Sequence, residues 1–104
     1  MKSIENLLSE SAECRNKLTL LSEEIHIKIV PLRQFNIIGL NIITDHLQLT
    51  IGLLEIEQAL NGHQQLKPIT KTTLMMDRKR LIKLANHTIQ TSSDWMVKIF
   101  ERKL

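Results

Sequence analysis

Cys14, His46 and His87 carry the donor atoms that zinc prefers, and their positions along the chain bring them to similar heights. In three antiparallel helices rising about 1.5 Å per residue, His46 and His87 fall about 22 Å from their helix starts and Cys14 about 16 Å, within roughly one turn. Helical phase separates them. His87 repeats at sevens with Arg80, Asp94 and Glu101, opposite an apolar stripe, and should face water. His46 sits inside an apolar stripe, as expected of a neutral, hydrogen-bonded residue between helices. Cys14 also lies in an apolar stripe, where a thiol acts as a small hydrophobe rather than a nucleophile. No short metal-ligand motif, Gly-rich phosphate loop or H-E-x-x-H accompanies them. Glu23 with Glu24, and Glu55 with Glu57, are paired only in sequence and should diverge or be solvated. The expectation is a protein without catalytic residues, metal or cofactor.

One charged feature stands above this background. Arg78, Lys79, Arg80 and Lys83, with Lys71 upstream and His87 a turn beyond, make a basic ridge two or three turns long. Such a ridge can contact phosphates, and nucleic-acid binding is the alternative function it suggests. No aromatic residues interleave with it for stacking on bases, and no helix-turn-helix spacing gives it a groove-reading scaffold. The simpler expectation is pairing with an acidic helix or with water. Residues 1–62 hold five Lys/Arg and eight Asp/Glu, while residues 63–104 hold nine and three. The halves therefore attract each other, and the overall charge of +3 conceals the asymmetry.

The elements that position these residues read as helices. Leu and Ile dominate the apolar residues, aromatics are limited to Phe35, Trp95 and Phe100, and three glycines with two prolines leave few turns. This favours an aliphatic helical core over a β-sandwich, in one domain spanning residues 1–104. Ile4, Leu7, Ser11, Cys14, Leu18, Leu21 and Ile25 alternate three and four apart, predicting a first helix from about Ser3, its N-cap, to Val30. Ile25 to Ile29 also alternates with period two, but a strand there would lack a partner. Pro31 should end that helix and open the next. The last helix is expected over about Thr72 to Lys103. Met75, Ile82, Ile89 and Met96 recur at sevens along it, with Ala85, Ser92 and Ile99 filling the alternate positions. Gly39, Gly52, Thr44-Asp45 and the cap-like Thr91-Ser92-Ser93-Asp94 could split the second or third helix and make four.

The middle helix, Pro31 to Asn61, carries two apolar stripes with heptad spacing. One is Phe35, Gly39, Ile42, His46, Leu49, Leu53, Ile56 and Leu60; the other is Ile37, Leu40, Thr44, Leu47, Ile51, Leu54 and Gln58. Their centres lie roughly 150° apart, so this helix needs partners on nearly opposite sides. A polar lane, Gln34, Asn41, Gln48 and Glu55, runs between them. Asn61-Gly62 supplies a stop, with Gly62 free to turn left-handed. The expected fold is an all-α, antiparallel bundle of three long helices, completed by dimerisation or a partner protein. Small residues at Ser11, Gly39, Gly52, Ala85 and Ser92 would permit close packing.

Asp45, His46, Glu55 and Glu57 interrupt the apolar run, so no membrane span is expected. A single cysteine and no evident signal segment point to the cytoplasm, where the Asn86-His87-Thr88 sequon would be chance. The expected function is that of a protein–protein interaction module, such as an adaptor, chaperone, inhibitor or regulatory subunit, and a homodimer is favoured. Its candidate association face is Ile37, Leu40, Leu47, Ile51 and Leu54.

Overall fold

The three–four spacing of the first stripe is realised in α1, Ile4–Lys28. Leu7, Ser11, Cys14, Leu18, Leu21 and Ile25 are all buried along one side of it. The helix takes in the period-two segment as far as Lys28, two residues short of the expected Val30, and the remaining elements are α2, Asn36–Gly62, and α3, Pro68–Lys103. This computed structural model describes residues 4–62 and 67–103, and no strand occurs among them. Ser3 and residues 63–66 of the expected interhelical loop lie outside the described residues.

Pro31 does not open the second helix. Residues 29–35 form successive tight turns, with the amides of Leu32 and Phe35 donating to the carbonyls of Ile29 and Leu32 at 2.9 Å each. Asn36 Nδ2 donates to the Val30 carbonyl at 2.6 Å, satisfying a carbonyl that the end of α1 leaves unpaired. Leu32 and Phe35 fold over the end of the bundle against the Leu21, Ile25, Ile29, Met96 and Ile99 cluster. Phe35 meets Trp95 edge to face, with centroids 6.3 Å apart. Burial of these turn residues explains the longer connection.

α3 begins at Pro68, four residues before the expected Thr72. Proline suits a first helical position because its missing N–H has no intrahelical partner there, and Lys71 N–H reaches the Lys67 carbonyl at 3.0 Å. Neither α2 nor α3 breaks, so the described chain has three helices rather than four. The hydroxyls that could have capped a restart bond backward instead, Thr44 to the Leu40 carbonyl and Thr91 to the His87 carbonyl, both at 2.9 Å. Gly62 is the last residue of α2, and no described glycine takes a positive φ.

All three helix pairs are in contact. Leu7 and Ser11 of α1 lie beside Arg78 of α3, and Arg15 of α1 beside Glu57 of α2. α1 and α3 therefore run parallel, with α2 antiparallel to both. Two clusters fill the interior: Cys14, Leu18, Leu49, Leu53 and Ala85 in one, and the group under Phe35 in the other. Both flanking helices share the inner side of α2, so α1 and α3 do not supply the partners on opposite sides that its two stripes call for. By length and composition α2 is apolar enough to cross a membrane, and only 22% of its most apolar stretch is buried within the bundle. That differs from the expectation that its charges would bring it below the threshold. His46 and Glu57 turn into the bundle, and few charges remain elsewhere on the helix.

Candidate protein interface

The two stripes of α2 have opposite fates. Gly39, His46, Leu49, Leu53 and Leu60 of the first are buried, with Phe35, Ile42 and Ile56 half-buried beside them. Every member of the second is exposed. Ile37, Leu40, Leu47, Ile51 and Leu54 show between 38% and 73% of their surface, and Ile38 adds to them near one end. The polar lane of Gln34, Asn41, Gln48 and Glu55 borders this face in water. Exposed Leu20, Ile27, Met76, Leu84 and Val97 are distributed over α1 and α3, and scattered apolar residues are normal on a protein surface. A line of five on one helix is not.

The basic ridge survives in part. Lys79, Arg80 and Lys83 are exposed, but Arg78 is withdrawn from it, with only 6% of its surface accessible. Its Nη1 donates to the Leu7 carbonyl at 3.3 Å and to Ser11 Oγ at 3.2 Å, and its Nη2 lies 3.7 Å from Glu10. Its buried Nε has no hydrogen-bond partner. Arg78 is thus a buried link between α1 and α3, and its place on an outward ridge is corrected. The signal was available: Ala85, Ser92 and Ile99 advance by seven along the buried side of α3, and one step back lands on Arg78.

Glu55 and Glu57 diverge as expected, and Glu57 is buried rather than solvated. Arg15 grips it with two bonds, Nε to Oε2 at 2.5 Å and Nη2 to Oε1 at 2.8 Å, which raises the Arg15 pKa above its ordinary value. Glu55, two residues earlier, remains exposed.

His46 joins all three helices. Its Nδ1 is 2.9 Å from Ser22 Oγ of α1 and its Nε2 is 3.0 Å from Ser92 Oγ of α3. Ser22 spends its one hydroxyl proton on the Leu18 carbonyl at 2.8 Å, so Nδ1–H must donate to Ser22 and Nε2 must accept from Ser92. Burial lowers the His46 pKa; the Leu18 carbonyl and Asp45 act in the opposite direction. The neutral tautomer resembles that of a general base beside a serine. Ser92, however, is nearly fully buried in the middle of a continuous helix, whose backbone N–H groups are committed and can form no oxyanion hole.

Cys14 is buried, with Sγ 4.0 Å from Asn86 Oδ1, and burial raises its thiol pKa. His87 is exposed. Cys14, His46 and His87 do not converge, and no trio of His, Cys, Asp or Glu among the described residues is arranged to hold a metal. Comparison with family models, curated proteins and solved structures finds no match.

Proposed function

We propose that the chain acts by binding another protein, as an adaptor, chaperone, inhibitor or regulatory subunit, and that the outer face of α2 is its docking surface. One observation carries this reading: Ile37, Leu40, Leu47, Ile51 and Leu54 form an exposed apolar line, broken only by Thr44, on a helix whose other side is core. Covering the exposed part of each such side chain is worth about 1 kcal/mol, and a protein surface supplies that cover. The test is the double substitution Leu47→Asp, Ile51→Asp. It should abolish association in native mass spectrometry while leaving helicity and Tm near those of the parent, because carboxylates placed in a docked seam cost several kcal/mol each. Unfolding of the variant would mean that the face is core, and undiminished association would mean that binding lies elsewhere.

A nucleic-acid role rests on the exposed cations Lys79, Arg80 and Lys83. That reading requires an affinity that falls steeply with salt and is lost in the triple charge reversal Lys79→Glu, Arg80→Glu, Lys83→Glu. The docking reading expects this variant to associate as the parent does.

A further inference from the structure

We infer that the occupant of the outer face of α2 is the same face of a second copy of this chain, laid antiparallel; this rests on the reading of that face as an association surface. The exposed residues form two interleaved series seven apart, Ile37, Thr44 and Ile51 in one and Leu40, Leu47 and Leu54 in the other. These are the two seam positions of a heptad, and a heptad seam fits another helix bearing one. The series are also complementary to themselves. Turned end for end about a point between Thr44 and Leu47, Ile37 meets Leu54 of the second copy, Leu40 meets Ile51, and Thr44 meets Leu47.

Charge supports the same occupant. Between Ile37 and Leu54 the seam and its border, Asn41 and Gln48, are uncharged. The nearest carboxylates, Glu55 on the border and Glu5 in the groove beside Leu54, lie at one end, so antiparallel pairing sets the two copies' carboxylates at opposite ends. Asp45 lies off the seam, in the groove it lines with Ser92 and Trp95 between α2 and α3. An identical face is therefore not repelled, and nothing on it calls for a charged partner. Antiparallel pairing also opposes the two helix dipoles, where parallel pairing would align them. α1 and α3 pack against the other stripe of α2, and α1 reaches this face only at its Leu54 end, so the approach is open along the rest of the seam. The seam is only about 25 Å long. That places it at the low end of specific interfaces, so the dimer should be a reversible, concentration-dependent one.

The test uses the full chain with Ile37→Cys and Leu54→Cys variants under mild oxidation, and the parent as control because buried Cys14 should not cross-link. An antiparallel pair gives a disulfide when the two variants are mixed and little with either alone, since only unlike positions approach within disulfide range. Sedimentation of the parent should rise from 12.1 kDa toward twice that mass with concentration. Self-cross-linking of the Ile37→Cys variant alone would overturn the antiparallel arrangement. Monomeric mass throughout, with no mixed disulfide, would overturn the second copy. In that event, a stoichiometric protein retained from the host lysate and lost in the Leu47→Asp, Ile51→Asp variant would leave the docking reading standing. Retention of none would end that reading as well.

Discussion

The two sides of α2 are both apolar, and the one that also holds polar groups is the one the bundle covers. The inner side carries His46 and Glu57 among Leu49, Leu53 and Leu60, while the outer side carries Ile37, Leu40, Leu47, Ile51 and Leu54. The difference lies in what the neighbouring helices offer. α1 and α3 present Ser22 and Ser92 to both nitrogens of His46, and Arg15 grips both oxygens of Glu57. A buried polar group without partners would cost a few kcal/mol, so these matched sets specify which side of α2 faces inward. Aliphatic side chains impose no such geometry and remain available to any apolar surface. The inner side is thus particular to this bundle, and the outer side is free for association.

The comparison is broken most directly by one substitution made on each side. Leu53 is completely buried, and Leu53→Ala should cost about 2–5 kcal/mol through lost burial and a cavity. Leu47→Ala, on the exposed line, should change the stability of the dilute chain by no more than about 0.5 kcal/mol. Urea midpoints at low concentration measure both. Similar midpoints would mean that the two sides are equally covered.

A smaller effect is expected at the two glutamates. Glu57→Gln removes the charge that Arg15 clasps and should destabilise by about 1–2 kcal/mol, moderated because the pair is partly exposed. Glu55→Gln, in water on the outer border, should be neutral within about 0.5 kcal/mol. Reversal of that order would place the working carboxylate on the outer side.

Histidine sharpens the contrast through pH. Burial holds His46 below its usual pKa, so the folded chain binds a proton less readily than the unfolded chain. Its contribution is whole above the unfolded value of about 6.5 and declines as pH falls below it, levelling off beneath the lowered folded value. The slope is at most about 1.4 kcal/mol per pH unit for one proton. Denaturation midpoints between pH 7 and pH 5 should fall in the parent and in His87→Gln, and the part due to this histidine should vanish in His46→Gln. An unchanged slope in His46→Gln would show that the buried bridge does not titrate as described.

Most of the fold was legible because helical spacing alone carries it. The stripe from Leu7 to Ile25 and the two faces of α2 follow from steps of three, four and seven. The sequence points the stripe of Ile37, Leu40, Leu47, Ile51 and Leu54 outward, but the groups that hold the other stripe inward lie far away in sequence on α1 and α3, beyond the reach of spacing within α2. Arg78 and Glu57 were misplaced for a related reason. Each occupies a core step of its helix, at seven before Ala85 and at four after Leu53, but a charge by itself suggests solvent. Its burial depends on Ser11 and Glu10 in one case and Arg15 in the other. The turn through residues 29–35 escaped because the packing of Phe35 on Trp95 outweighed the local preference of Pro31 for a helix start.

The finest distinction lies within α2 itself, between two glycines that spacing treats alike. Replacing a helical glycine by alanine is worth about 0.5–1 kcal/mol wherever the added methyl has room, because the unfolded chain loses freedom that the helix never used. At Gly39 a Cβ would meet Val30, Ile25 and Ile29 at 3.4–3.5 Å, which is ordinary contact. Gly39→Ala should therefore stabilise by that amount and bury a methyl between α1 and α2. At Gly52 the Cβ would come within 3.2 Å of Leu81 Cδ1, so the leucine must shift by a few tenths of an ångström at the α2–α3 contact. Part of the gain is then spent on repacking, and Gly52→Ala should be the less stable of the two variants. If Gly52→Ala proved the more stable, α3 would be more loosely seated on α2 than α1 is, and the inner side would be held mainly by α1.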